Sequence, residues 1–319
     1  MELHINQPAL ERSDAGFALL LVIACVGLLA VAAAVFARLA NTHVRTVALQ
    51  VEAARLEAIA DAGISLAVLR LHALRAKHGQ VALTSAAYEK QWHCLYGDDY
   101  LGIEIEDEAG KVDLNFASER LLRTLLIGLG LETIRASSLA DAIADFRDLD
   151  DDKRPNGAEK AEYIAAGRQW GPKNSAFVIV EELNQVLGMD ADLMERLLPF
   201  ITVHSGKDGI DPDVAKPRLL ELITLGDKPT SFAGMKEEVS VPSSYHGLPG
   251  HFVAKGYSNV FTVRSNAVTK AGLSFVREAI VDTSASPGDV GQGYRAWKWR
   301  RAGTTLVPAA PASPTIPPC

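Results

Sequence analysis

Cysteine is scarce in this sequence, with three residues among 319. Cys25 lies inside a long apolar run, which leaves Cys94 and Cys319 as the two cysteines outside it. In an oxidising compartment these two could pair with each other or with partner chains. Their number and spacing give no sign of a disulfide framework.

The sequence also lacks the residue patterns of an active site. Its candidate histidines have no helical metal-ligand spacing, and its candidate serines have no nucleophile-elbow context. These residues are His204, His246, His251, Ser231, Ser243 and Ser244. Glu181 and Glu182 open an amphipathic segment, where carboxylates favour a helix N-terminus. A Gly-rich phosphate loop is missing as well, so we expect no enzymatic activity.

Positive charge is not in excess, because the formal net charge is −7. A nucleic-acid partner would require clustered Lys and Arg to neutralise phosphates. The sequence therefore predicts no nucleic-acid partner. Internal repeats of solenoid length are also missing.

A long apolar run is present. From Phe17 to Ala37 there is no charged side chain, and a helix needs about 20 such residues to cross the hydrocarbon core of a membrane. The run is too long for a secretory signal peptide, and Glu2, Glu11 and Asp14 outnumber Arg12 ahead of it. We therefore predict a membrane span, for which an ordinary uncleaved signal anchor is one interpretation.

The residues just before the span favour a second interpretation. A polar leader ending in Gly16, followed by Phe17 and an apolar helix, resembles the leader of type IV prepilins and pseudopilins. The resemblance implies that a membrane peptidase removes residues 1–16 and exposes Phe17. Arg38 and Arg45 follow the span, so the positive-inside bias would place the N-terminus outside instead.

Beyond the span the pattern predicts an α+β fold. Residues 38–79 continue the helix, with an apolar stripe that includes Val47, Val51, Ile59 and Leu69. The predicted chain begins with a long spine helix, whose transmembrane part is 17–37 and whose second part is 38–79. The first part of an antiparallel sheet follows at 80–112, and then an inserted mainly helical domain at 113–225 with a strand near 201–204. The second part of the sheet is predicted at 226–305, and a disordered Pro- and Ala-rich tail at 306–319. Trp297 and Trp299 alternate in the last strand and are predicted to share one face, either as a contact surface or, as we favour, as part of a buried core.

One acidic loop has the residue types of a cation site. Oxygen-bearing side chains stand at positions one, three, five, nine and twelve, which are ligand positions of an EF-hand loop. They are Asp148, Asp150, Asp152, Asn156 and Glu159, with Asp151 among them. Lys153 replaces the Gly of position six, so a true EF-hand is not expected. A structural calcium ion would offset the repulsion between these carboxylates. Alternatively, the loop is solvated and its carboxylates pair with Arg147 and Arg154, which would offset the same repulsion.

Several stretches in this order together resemble the minor pseudopilin K family of the type II secretion system. They are Glu108 to Asn115, Asp145 to Asp148, Arg154 to Glu159, Tyr163 to Asn174, Val180 to Leu183, Leu187 to Met189, and Gly209 to Pro212. Pilins usually carry a Glu five residues into the mature chain, and the K subunit is the member known for lacking it. Here that position is Leu21.

The resemblance implies a pilin-like sheet with a large inserted helical domain. It also implies an inner-membrane anchor with the bulk of the chain in the periplasm, at the tip of a pseudopilus. The implied partners are the I- and J-type minor pseudopilins, the prepilin peptidase, the inner-membrane secretion platform and exported proteins. Calcium is an implied structural ion of this system.

A different class of function stays open as an alternative. Val112 to Asn115 is similar to the opening of helix-hairpin-helix modules, which would make the chain a membrane-tethered DNA-binding protein. Between residues 104 and 200 the acids outnumber the bases by about two to one, so contact with phosphates would be repulsive.

Overall fold

The computed structural model describes residues 15–78, 90–227, 248–256, 259–284, 293–303 and 317–319. Two compact units divide the chain, Met1–Arg55 and Leu56–Cys319. Residues 1–14 of the predicted leader and most of the predicted tail lie outside the described residues. So do the candidate residues His246, Ser231, Ser243 and Ser244.

The first element is helix α1, Ala15–His78, which is 64 residues long. Proline is missing throughout it, so no residue removes a backbone donor and interrupts the helix. This confirms the predicted N-terminal apolar helix. In the first unit, the side chains from Leu19 to Leu39 are exposed.

The remaining elements follow α1 in chain order. They are β1 (Gln91–Tyr96), β2 (Asp99–Asp107), β3 (Val112–Asp113), α2 (Glu119–Gly128), α3 (Thr133–Arg147), α4 (Lys160–Ala165), α5 (Ala191–Leu197), β4 (Ile201–Thr202), α6 (Pro217–Gly226), β5 (Val260–Val268), β6 (Ser274–Asp282) and β7 (Arg295–Ala302). Short 3-10 turns lie at Glu108–Gly110, Val180–Gln185, Leu198–Phe200 and Gly250–Phe252.

Five strands form an antiparallel sheet in the order β1-β2-β5-β6-β7. One face of the sheet packs against the part of α1 that belongs to the second unit. The strand residues alternate, as in Leu101, Ile103 and Ile105 of β2, because successive strand side chains point to opposite faces. The helix residues recur three or four apart. The helix side of this core consists of Leu56, Ile59, Ala60, Ile64, Ala67, Val68 and Leu71.

The predicted apolar stripe of α1 is therefore only partly correct. Ile59 is buried, but Leu69 is exposed because the buried face passes through Ile64, Val68 and Leu71. At Gly63 the helix approaches the sheet closely, since a Cβ there would lie 2.1 Å from the Oγ of Ser265. Only glycine allows this approach without a shift of the strand.

The inserted helical domain lies between β2 and β5, two neighbouring strands of the sheet. Its chain leaves β2 at Asp107 and returns at Val260, rather than at the predicted residues 113 and 225. Val112 belongs to β3, which pairs in parallel with β4 inside the insertion and not with the five-stranded sheet. The insertion has its own core, whose largest buried side chains include Phe146, Tyr163 and Phe252.

The outer face of the sheet is joined to the insertion by charged and hydroxyl groups. Lys111 and Lys216 of the insertion lie 3.7 Å and 2.7 Å from the carboxylate of Glu106 in β2. The hydroxyl of Thr262 on β5 donates to Glu108 at 2.7 Å. These contacts tie the insertion to both strands that flank it.

Two further expectations differ from the structure. Trp297 and Trp299 are 51% and 40% exposed, so the predicted buried tryptophan face is wrong. Strand alternation breaks here, because the pairing of β6 with β7 shifts register between Ile280 and Val281. Trp297 stacks on His204, whereas Trp299 lies beneath the guanidinium of Arg277.

Residues 317–319, the described end of the predicted disordered tail, are ordered against the sheet. Cys319 forms a disulfide with Cys94 of β1. The amide of Leu95 donates to the carbonyl of Pro317 at 2.8 Å, and the amide of Cys319 donates to the carbonyl of Leu95 at 3.0 Å. The covalent bond and these two hydrogen bonds hold the last residues against the edge of the sheet.

Candidate calcium site and membrane segment

The acidic loop connects two helices that fix both of its ends. Asp148 is the C-cap of α3, and Glu159 is the N-cap of α4. The amide of Asp148 still donates to the carbonyl of Ala144 at 3.2 Å, and the amide of Glu159 donates to the side chain of Glu162 at 3.0 Å. The first and last of the candidate ligands therefore have defined backbone positions.

Arg154 occupies one side of this loop. Its guanidinium pairs with Asp145 at 2.8 Å, with Glu119 at 2.9 Å, and with Asp148. The side chain of Asp145 is fully buried and also accepts from the amide of Ala158 at 2.9 Å. Of the two arginines that the sequence offered to neutralise the loop carboxylates, Arg154 forms ion pairs with them.

Arg147 is directed elsewhere. Its guanidinium donates to the backbone carbonyls of Leu114 and Ala117, the latter at 2.6 Å. It therefore anchors the segment before α2 and does not neutralise the loop.

The middle of the loop is held by local hydrogen bonds. Asp150 accepts from the amide of Asp152 at 3.0 Å, and Asp151 accepts from the side-chain amide of Asn174 at 2.8 Å. Asn156 donates to Asp141 at 3.0 Å. In the described part of the chain, no group of three or more His, Cys, Asp or Glu side chains is arranged to hold a metal ion. The expected ligands are therefore neighbours in one loop that do not converge on one point.

Glu159 is nevertheless in an unusual environment. Its side chain is 6% exposed, and neither carboxylate oxygen has a hydrogen-bond partner. One oxygen of Asp148 and the amide oxygen of Asn174 are likewise buried and unpaired. Burial, together with repulsion from Asp145, Asp148, Asp151 and Asp150, raises the pKa of Glu159 to about 7.

The unpaired atoms share one chemistry. All are hard oxygen atoms, which calcium prefers, and a buried oxygen without a donor or cation is costly. Glu159, Asp148 and Asn174 therefore fit calcium by donor type. Asn174 was not predicted from the sequence because it lies outside the loop pattern, although its positive φ of 49° marks a specialised backbone position.

The membrane segment begins within the first turn of α1. Gly16 and Phe17 lie in this turn, because the helix begins at Ala15. Leu21 lies in the same helix and is exposed. The stretch Leu19–Leu39 is long and apolar enough to cross a membrane. This is consistent with a single-pass membrane-anchored protein.

The other candidate polar residues have structural partners. Glu181 accepts from Lys298 at 2.9 Å, and Glu182 accepts from the amide of Val178 at 2.7 Å. His204 is half-buried and stacks on Trp297 at 5.9 Å between ring centroids. These contacts give all three side chains structural partners.

Comparison with known proteins supplies a family. Residues 105–206 match the family model "Type II secretion system (T2SS), protein K". The type II secretion system protein K of Dickeya chrysanthemi is 38% identical over 84 residues, which are 26% of this chain and 23% of that protein. The protein K of Klebsiella pneumoniae is 36% identical over 104 residues, which are 30% of this chain and 31% of that protein. The match thus spans about a quarter to a third of the length of these relatives.

A solved structure extends the likeness in fold. A chain of the crystal structure of the GspK-GspI-GspJ complex from the enterotoxigenic Escherichia coli type 2 secretion system aligns with a TM-score of 0.59 and 18% identity. The alignment covers 80% of this chain and 98% of that one, which supports the α+β architecture. Residues 105–206 thus resemble a domain of type II secretion system protein K, and the likeness in fold extends over most of the chain.

Proposed function

We propose that this chain is a minor pseudopilin at the tip of a type II secretion pseudopilus. There it initiates assembly and supports the export of folded proteins across the outer membrane. The match of residues 105–206 to the protein K family model supports the pseudopilin assignment. The arrangement of an apolar helix followed by a small antiparallel sheet is in keeping with it.

The observation that carries the tip position is the insertion between β2 and β5. In an ordinary hairpin a few residues would join two such neighbouring strands. Here the joining segment begins at Glu108, ends before Val260 and encloses its own hydrophobic core. A body this large cannot repeat along a tightly packed helical filament, so it is best accommodated at one end.

Leu21 supports the same position. A carboxylate at this depth in a membrane costs about 2.5–3.5 kcal/mol on insertion scales and therefore needs a partner. In pilins that partner is taken to be the N-terminal amine of a neighbouring subunit. Leu21 has no charge to offer, so this chain would not capture an amine in that way. A subunit of this kind fits the end of a filament.

The proposed partners are the other minor pseudopilins, of I and J type. The solved relative comes from a GspK-GspI-GspJ complex, and we extend that association to this chain. Processing after Gly16 would require the prepilin peptidase, and assembly would require the inner-membrane platform. The Cys94–Cys319 disulfide suits a periplasmic location for the second unit, because disulfides persist in oxidising compartments.

The tip position is tested with the full chain in detergent, mixed with its own system's I- and J-type minor pseudopilins. Light scattering coupled to size exclusion should give one complex of fixed ratio. The full chain alone should form no filaments. Filaments of this protein alone, or no association with either partner, would contradict the proposal. Binding to duplex DNA instead would favour the tethered DNA-binding alternative.

We further propose that calcium stabilises the acidic loop. The ion would use oxygens of Asp148, Asp150, Asp151, Asp152, Asn156 and Glu159, the set that the sequence predicts, with Asn174 added from the structure. The unpaired oxygens of Glu159 are the observation that supports it. The side chains would have to move toward one another, since they do not converge as they stand.

A further inference from the structure

Strand β7 is an open edge of the five-stranded sheet. On one side it pairs with β6, from Arg295 opposite Asp282 to Ala302 opposite Val276. Within the described residues, its backbone makes no hydrogen bond on the other side. An edge strand of this kind presents a row of free N–H and C=O groups that can pair with another strand.

The opposite edge is treated differently. There the chain covers part of β1 itself, through the hydrogen bonds of Leu95 to Pro317 and Cys319. The disulfide of Cys94 reinforces this cover. Of the two edges, β7 is therefore the one that can accept a strand.

Strand β7 has exposed aromatic side chains that could contact an added strand. Trp297 and Trp299 stay 51% and 40% exposed, and tryptophan is enriched among residues that dominate binding energy. A hollow of about 440 Å³ lies beside Trp299 and is lined by Ala62, Ser65 and Tyr294. Side chains of an added strand could enter it on the face that packs against α1.

The charges of β7 identify the chemistry of an occupant. Lys298 pairs with Glu181 at 2.9 Å, and Arg300 pairs with Glu278 at 2.6 Å. Arg295 and Arg301, near the two ends of the strand, instead lie over the rings of Trp297 and Phe275. Neither forms an ion pair with a carboxylate in the described part of the chain. A second copy of β7 would bring like charges together, which is unfavourable across a strand pair.

We propose that β7 binds an extended, acidic segment of a partner protein as a sixth strand. Backbone hydrogen bonds would supply much of the affinity, and alternate side chains would supply specificity. Carboxylates near the two ends of the segment would pair with Arg295 and Arg301, while its apolar side chains contact Trp297 and Trp299. The inference uses only the second unit and does not depend on the tip position.

The test uses the full chain in detergent micelles and a fluorescent nine-residue peptide that has Glu-Glu at each end and Val residues between them. Fluorescence anisotropy should show saturable binding, and hydrogen exchange should show new protection of the amides of residues 295–302. The double variant R295E/R301E should weaken binding by about tenfold or more, since it replaces two attractive charge pairs with two repulsive ones. The double variant W297A/W299A should weaken it similarly.

Matched controls separate strand addition from simple charge attraction. The variant R123E/R218E changes two exposed arginines of the insertion and should bind the peptide as the unaltered chain does. A peptide with Pro in place of Val should bind much more weakly, because each Pro lacks a backbone N–H and interrupts strand pairing. Equal affinity of the Pro peptide, or of a peptide with Lys in place of Glu, would overturn the proposal. So would no binding at about 1 mM, or a dimer of the chain that R295E/R301E abolishes.

Discussion

The guanidinium of Arg154 lies 2.8 Å from the fully buried carboxylate of Asp145. Gly157 makes room for this carboxylate, because a Cβ at that residue would lie 2.0 Å from an Asp145 oxygen. Arg154 also contacts Asp148 and Glu119, so one cation pairs with two acids at the C-terminal end of α3 and one at the start of α2. Its loss would leave Asp145 with a buried and incompletely paired charge.

The first prediction concerns this cation. Arg154→Gln should lower the free energy of unfolding by about 3 kcal/mol in chelator, since breaking a buried pair leaves an uncompensated charge. Chemical denaturation monitored by circular dichroism would measure it. Arg135→Gln is the control, because Arg135 and Asp190 are about half exposed and such a pair contributes at most about 1 kcal/mol. Equal effects of the two changes would show that Arg154 has no special structural role.

The second prediction concerns pH. The pKa of Glu159 is raised to about 7 in the folded chain, above the ordinary value of 4.5. Its contribution to stability is therefore fully present below pH 4.5 and is lost as pH rises through about 7. In chelator, Glu159→Gln should remove this loss and should stabilise the chain at pH 8 by about 1.4 kcal/mol or more, the value of one pKa unit.

Thermal melts at pH 5 and pH 8 would measure this effect. The exposed Glu195→Gln is the control and should leave the pH dependence unchanged. If Glu159→Gln is as sensitive to pH as the unaltered chain over this range, the buried carboxylate is not the cause.

The third prediction concerns calcium. Calcium should raise the melting temperature of the full chain relative to chelator, because an ion that binds only the folded state stabilises it by mass action. Asp150→Ala should reduce the increase, and Glu159→Gln should reduce it further despite its stabilising effect in chelator. Magnesium serves as the control ion, since it requires a stricter octahedral geometry. A chain that melts at the same temperature with calcium and chelator would leave Arg154 as the only neutralising group.

The fourth prediction concerns processing. Mass spectrometry of the membrane-extracted chain should find Phe17 at the N-terminus, because the small residue Gly16 stands at the start of the span. Gly16→Val should leave residues 1–16 attached. Gly27→Ala, at a position where a Cβ meets no atom within 4 Å, is the control and should be processed normally. A mature N-terminus at Met1 or beyond Ala37 would rule out the pseudopilin leader.

The fifth prediction concerns the disulfide. The double variant C94S/C319S should unfold with a free energy lower by about 2–4 kcal/mol, because cross-linking residues far apart in the sequence restricts the unfolded chain. Unaltered protein in reductant should match the variant. The control is Cys25→Ser, which removes a cysteine that forms no disulfide. Equal stability of reduced and oxidised protein would show that the bond adds nothing.

The sequence predicted the architecture where the local pattern carried the information. The apolar run and the stripe that continues it identified α1, and the predicted order of elements included a mainly helical domain between two parts of a sheet. Strand β1, with Trp92 and His93 but no clear alternation, was not predicted because its burial depends on the neighbouring strand. The exposure of Trp297 and Trp299 could not be predicted, since a register shift depends on the partner strand.

For the acidic loop, the sequence likewise predicted the local features but not those that depend on the folded chain. The order of carboxylates suggested a cation, and Arg154 was one of two arginines considered as an alternative. The burial of Glu159 could not be deduced, because the local sequence does not determine which side chain of a polar loop is covered in the folded chain. Nor could the approach of Asn174, which is distant in sequence and hydrogen-bonds to Asp151.

The position of the insertion has a consequence for the order in which the chain folds. Closing an unstructured segment as long as residues 108–259 costs about 3 kcal/mol more entropy than closing a tight turn. If the insertion folds first, its ends are already held together, since the amide of Asp211 donates to Ala109 and the amide of Ile210 donates to Phe252. Strands β2 and β5 then meet as though a short turn joined them. An insertion that folds first would thus bring the central strand pair of the sheet together at a much smaller entropic cost.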